Sequence, residues 1–120
     1  MKRLILLLSI LLILPASANE LDKAMKSGND VLMYFYSPTC ISCDKFNPIY
    51  FELEKEYKNI KFVRINIDTN DGRKLFSKYH GFYIPYLTLT SPKTKKTVSI
   101  TAVCASNDVC FERVLKGFRK

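Results

Sequence analysis

The chain has 120 residues, 48% of them hydrophobic, with 19 Lys plus Arg against 11 Asp plus Glu for a net charge of +8. That length supports one domain with a modest core and is too short for two. The positive charges are scattered, Lys93, Lys95 and Lys96 forming the one tight cluster, which describes a solvated surface and speaks against a nucleic-acid-binding stripe.

The amino terminus carries a cationic stretch, Met1-Lys2-Arg3, then an apolar run over residues 4–14 broken by Ser9, then Pro15-Ala16-Ser17-Ala18. Small residues at that spacing make a cleavable export signal with a cut expected after Ala18. The chain is therefore expected in a periplasmic or secreted setting. Eleven residues as a helix rise only about 16 Å, roughly half the hydrocarbon thickness, so a permanent membrane span is disfavoured. No Cys follows the apolar run, and lipoprotein attachment has no support. The remaining 102 residues hold 17 basic and 11 acidic side chains, net +6.

The next segments alternate helix and strand. Residues 20–27 place Leu21, Ala24 and Met25 at helical spacing and stop at Gly28-Asn29. Residues 31–36 follow as a strand whose two faces are both apolar, which puts it in the middle of a sheet covered by helices on each side. A long helix is expected over residues 40–57, with Phe46, Ile49, Tyr50, Leu53 and Tyr57 as its buried stripe and Pro48 inside it. Residues 60–67 read as a strand, and residues 71–80 as a short helix with Leu75, Phe76 and Tyr79 inward, ended by Gly81. Residues 86–90 and 97–103 form an antiparallel hairpin through residues 91–96, and residues 107–118 a last helix with Phe111, Val114, Leu115 and Phe118 on one face. Ser106 or Asn107 is available as its cap. There is no internal repeat.

Between the first strand and the long helix stands Cys40-Ile41-Ser42-Cys43. Unpaired N–H groups and the positive end of the helix dipole stabilise a thiolate at a helix start, so Cys40 is the expected nucleophile. Cys43, two residues beyond Ser37-Pro38-Thr39-Cys40-Ile41, is placed to displace the mixed disulfide that attack by Cys40 creates.

This succession of elements, with Cys40-x-x-Cys43, Pro48 five residues on, a strand ending Asn66-Ile67-Asp68, Ile84-Pro85, a hairpin and a final helix, resembles the thioredoxin family over nearly the whole mature chain. The resemblance implies an α/β thioredoxin fold: a central mixed sheet with helices on both faces. It implies a thiol–disulfide oxidoreductase acting on protein disulfides or dithiols, with no cofactor and no metal, as a monomer, with a membrane redox partner as a further candidate. It also implies that Pro85 is a cis-proline packed on the active-site sulfurs, that Ile84 offers backbone hydrogen bonds to an extended substrate segment, and that Thr39 and Cys104 border the substrate groove. The chain departs from the family in having Thr39 before Cys40 and Ile41-Ser42 between the cysteines, where Trp and Gly-Pro are usual. Tyr34 stands where the family buries a proton-relaying Asp, and Arg64 where it has Lys. The alternative from another class is a redox-inert binding module holding Cys40–Cys43 as a static disulfide.

By the resemblance, Cys104 follows the last strand and Cys110 falls in the first turn of the final helix. The favoured reading of the pair is a structural disulfide tying loop to helix; a second redox couple and a four-Cys zinc site are the other two. His80, the one imidazole, reads as a surface cap at a helix end. Expression in an exporting host should yield protein that starts at Asn19; recovery of protein starting at Met1 would overturn the export reading.

Overall fold

In the computed structural model, which describes residues 16–119, five helices and four strands follow one another as α1 (Ala16–Lys26), β1 (Asp30–Tyr36), α2 (Ile41–Glu56), β2 (Ile60–Asn66), α3 (Asn70–Lys78), β3 (Tyr86–Thr90), β4 (Thr97–Ile100), α4 (Ala102–Ala105) and α5 (Asp108–Phe118). The charged and apolar parts of the expected export signal, residues 1–15, lie outside the described residues. The expected cut after Ala18 falls in the first turn of α1.

The four strands form one sheet in the order β2-β1-β3-β4. β1 runs parallel to β2, with Tyr34 opposite Arg64, and antiparallel to β3, with Phe35 opposite Tyr86. β3 and β4 are antiparallel, joined through the turn in which Lys95 N–H donates to the Ser91 carbonyl at 2.8 Å. Alternation along β1 sends its side chains to two different cores. Leu32 and Tyr34 join Phe46, Tyr50 and Leu53 of α2 and Phe111, Leu115 and Phe118 of α5 on one face. Val31, Met33 and Phe35 join Leu21 and Ala24 of α1, with Leu75 and Phe76 of α3 packed alongside, on the other. Every residue from Val31 to Phe35 is without solvent exposure, as the doubly apolar strand requires. Burying one such large side chain contributes roughly 1.5–3 kcal/mol, so this strand anchors both layers. The result is the expected mixed sheet with helices on both faces.

α2 continues through Pro48 without interruption from Ile41 to Glu56. Its far end is tied to α5 by the Tyr57 hydroxyl, which donates to the Glu112 carboxylate. Two boundaries differ from the sequence expectation. β4 ends at Ile100, not at Val103, because Thr101 turns into an N-cap: its hydroxyl accepts from the Cys104 N–H at 3.0 Å and starts the single turn α4. α3 ends at Lys78, and the left-handed position after it is held by His80, with φ 64°, not by Gly81. His80 N–H donates to Ser77 O at 3.0 Å and Gly81 N–H to Phe76 O at 2.8 Å, the pair of bonds that closes a Schellman-type helix end. Gly81 is needed for another reason, since a Cβ there would run into the Phe76 ring.

These two neighbours should respond oppositely in thermal or urea unfolding. His80→Gly relieves a left-handed residue and should stabilise by about 0.5–1 kcal/mol, and Gly81→Ala should destabilise by about 1–3 kcal/mol through overpacking.

Candidate active site

β1 delivers the chain to the edge of the sheet at Tyr36, and residues 37–40 turn it into α2. Ser37 is buried and organises that turn. Its hydroxyl donates to Asp68 Oδ2 at 2.9 Å, so the 3.2 Å contact between Ser37 Oγ and Thr39 Oγ1 is a bond donated by Thr39. Cys40 N–H donates to Ser37 O at 3.1 Å, and Ile67 N–H to Tyr36 O at 2.9 Å, pinning the β2–α3 loop against the same turn. No local pattern announces the Ser37–Asp68 pair, whose members lie 31 residues apart.

Cys40 is the N-cap of α2, in an extended conformation with φ −89° and ψ 111°, and its sulfur accepts from the Cys43 N–H at 3.0 Å. A cap position normally held by Ser, Thr, Asp or Asn is thus filled by sulfur, and a thiolate there gains both that N–H and the helix dipole. Cys43 is nearly fully buried, whereas Cys40 is half-buried. The two form a disulfide with Cα atoms 5.1 Å apart. An outer nucleophile and an inner resolving sulfur are the arrangement that disulfide exchange needs.

Beneath Cys43 lies Tyr34, with no solvent exposure. Its hydroxyl donates to Asn47 Oδ1 at 2.7 Å and sits 3.2 Å from the Cys43 carbonyl. Asn47, one helical turn past Cys43, was missed by sequence reasoning, although its i+4 spacing placed it under the cysteine. Burial pushes the Tyr34 phenol up to about 12, with the nearby Arg64 guanidinium opposing the shift. The phenol is therefore protonated at neutral pH and does not act there as a base. Arg64 packs against rings, its guanidinium carbon 4.2 Å from the Tyr36 ring centre, 5.4 Å from Phe51 and 6.0 Å from Tyr34. Its Nε is buried without a hydrogen-bond partner.

The Ile84–Pro85 peptide bond is cis, and Pro85 is buried immediately before β3. Since Phe35 pairs with Tyr86, Ile84-Pro85 lies at the same edge of the sheet from which β1 releases the Cys40 turn. Ile84 is half-buried and packs against both cores. Thr39 is exposed beside Cys40. Cys104 stands in α4, beyond the shortened β4, and Cys110 in the first turn of α5, and the two are joined by a disulfide with Cα atoms 5.2 Å apart. Exposed apolar residues at this edge were not singled out from the sequence: Ile41 is 73% exposed, and Phe82, 83% exposed, stacks edge-on against Tyr83 at 5.0 Å. No cluster of three or more metal-ligating side chains occurs among the described residues.

A model of the family described as Thioredoxin matches residues 13–109. The chain belongs to the thioredoxin family. It is 32% identical over 74 residues to protein disulfide-isomerase A4 of Bos taurus, a match covering 59% of this chain and 12% of that protein. It is 32% identical over 54 residues to thioredoxin of Geodia cydonium, covering 43% of this chain and 51% of that one. The chain thus spans about half or less of the length of these curated relatives. Among solved structures, oxidized thioredoxin O2 of Arabidopsis thaliana superposes with a TM-score of 0.61 at 20% identity over 86% of both chains. Mitochondrial thioredoxin 3 of Saccharomyces cerevisiae superposes with a TM-score of 0.64 at 18% identity over 83% of this chain and 89% of that one. At those identities the two structures speak for the fold.

Tyr34 can be tested in two directions. Because its folded pKa is raised above the ordinary value of 10, its contribution to stability is complete below pH 10 and is lost as pH rises towards about 12. Unfolding measured across that window should therefore fall less steeply in Tyr34→Phe than in the native chain. Tyr34→Asp should cost stability, as a buried carboxylate does, while accelerating release of a mixed disulfide at neutral pH by up to about 100-fold through general-base action on Cys43. An unchanged release rate would show that no relay is missing.

Proposed function

We propose that this protein is a thiol–disulfide oxidoreductase that reduces disulfides in protein substrates outside the cytoplasm. The observation that carries the reading is the asymmetry of the cysteine pair. Cys40 caps α2 at the surface with a backbone N–H on its sulfur, and Cys43 waits one turn inside. In the reduced protein the Cys40 thiolate attacks one sulfur of a substrate disulfide, and the other substrate sulfur leaves as a thiolate. Cys43 then attacks the Cys40 sulfur, releasing the second substrate thiol and leaving the Cys40–Cys43 disulfide. Two electrons pass from the cysteine pair to the substrate.

The remaining residues supply recognition. Ile84-Pro85 at the sheet edge offers an extended segment a backbone to pair with, and the exposed Ile41, Phe82 and Tyr83 suit an apolar stretch of unfolded or mispaired protein. Thr39 and the α4 turn bearing Cys104 border that groove. Residues 1–18 act as a removable export signal, so the domain works in a periplasmic or secreted setting as a monomer. Electrons for each new cycle come from a membrane-held dithiol partner. The name of the bovine relative, a disulfide isomerase, fits the same chemistry.

Reduction of insulin by the native chain with dithiothreitol as electron source tests the reading directly. Cys40→Ser should fall to the uncatalysed rate, and Cys43→Ser should accumulate covalent mixed disulfides with insulin chains. Limiting iodoacetamide at neutral pH should label Cys40 before Cys43 in the reduced protein. A reduced protein whose Cys40 resists alkylation and leaves insulin untouched would instead be a redox-inert module.

A further inference from the structure

The second disulfide occupies a place that a mere staple does not explain. β1 is antiparallel to β3 and β3 to β4, so β1 and β4 run the same way and end at the same edge of the sheet. Cys40 is the fourth residue beyond the end of β1, and Cys104 the fourth beyond the end of β4. One strand separates β1 from β4, a distance of about 10 Å at ordinary inter-strand spacing. Both cysteines pack against the same buried cluster. The two disulfides thus leave one sheet edge side by side.

The bridge also does little to hold its own surroundings. Its cysteines are only six positions apart, and the constraint a disulfide places on the unfolded chain grows with the loop it closes. The segment it spans is fixed without it. The Thr101 hydroxyl accepts from Cys104 N–H at 3.0 Å, Asn107 Oδ1 accepts from Cys110 N–H at 2.9 Å, and Asn107 N–H donates to Cys104 O at 3.0 Å. Ala105 and Phe111 are buried between them. None of these contacts is made by the sulfurs of the bridge. Cys104 and Cys110 are each only half-buried, and their neighbours Val103 and Val109 stand out in solvent.

We propose that Cys104–Cys110 is a second redox couple, which takes electrons from the Cys40–Cys43 dithiol within one chain and holds them for a further substrate; this rests on the oxidoreductase reading of the first pair. The Cys40 thiolate attacks the Cys104 sulfur, forming Cys40–Cys104 and breaking Cys104–Cys110, and Cys110 leaves as a thiolate that takes up a proton. Cys43, losing its proton, then attacks the Cys40 sulfur and frees Cys104, which is protonated in turn. The first pair ends oxidised and the second reduced: two electrons have moved between them, and of the two protons taken up Cys43 releases one and solvent supplies the other.

Thiol trapping with mass spectrometry on the full chain, oxidised at both pairs and then given dithiothreitol, follows each couple separately. Opening of Cys104–Cys110 should be at least tenfold slower in Cys40→Ser than in the native chain, and the native rate should not depend on protein concentration. Equal rates in the two proteins would overturn the proposal, as would a native rate that rises with protein concentration. Reach is tested independently in the Cys43→Ser, Cys110→Ser double variant, in which a glutathione redox buffer should drive formation of a Cys40–Cys104 disulfide. Glutathione adducts on both cysteines without that bond would also overturn it. Insulin reduction by the native chain separates the levels: activity with no transfer to the second pair sinks only the second couple, whereas absence of activity sinks the oxidoreductase reading itself.

Discussion

The complete burial of β1 on both faces is the constraint on which the rest of the structure depends. A strand with polar side chains on both faces would tolerate a change of register; this one does not, because a slip of one residue would exchange the side chains of two different cores. Leu32 and Tyr34 are committed to α2 and α5, and Val31, Met33 and Phe35 to α1 and α3. Fixing β1 fixes the point at which Tyr36 leaves the sheet. It thereby fixes the Ser37 turn, the cap position of Cys40 and the depth of Cys43. Catalytic geometry here is a consequence of packing more than of any interaction among the sulfurs.

Electrostatics under the site are unusual for what they lack. A chain that buries a carboxylate near a thiol gains a proton acceptor and bears the desolvation of a charge. Tyr34 avoids that cost, satisfying its hydroxyl on Asn47 and filling the same volume with a ring that meets Phe46 and Tyr50 at 5.3 and 4.9 Å. Arg64 forms no ion pair among the described residues and is accommodated by the faces of Tyr36 and Phe51, a cation–π setting. The site thus offers the Cys40 sulfur a backbone N–H at the helix start, while Tyr34 offers Cys43 no base.

Much of this was legible in the sequence because the relevant signals were local. The unbroken apolar run of residues 31–36, the Cys40-x-x-Cys43 spacing beside it and the helical stripe of Phe46, Tyr50 and Leu53 each follow from a short window. What escaped is tertiary or ambiguous. Ile100-Thr101-Ala102-Val103 continues a strand-like pattern, and only the cap bond from Thr101 to Cys104 turns it into α4. His80 took the left-handed position because the Phe76 ring left Gly81 a different task. Asn47 under Tyr34, Asp68 on Ser37 and the aromatic seat of Arg64 depend on side chains brought together by the folded sheet, and no periodicity announces them.

The shortness of β4 has a consequence away from the sulfurs. This strand forms one border of the sheet, has only four residues, and is preceded by the turn carrying Lys93, Lys95 and Lys96. A border of that length offers few free backbone groups for a second chain to zip onto, and the lysines beside it repel a copy approaching with the same charges. The same truncation that created α4 therefore also makes this border of the sheet a poor template for a second chain.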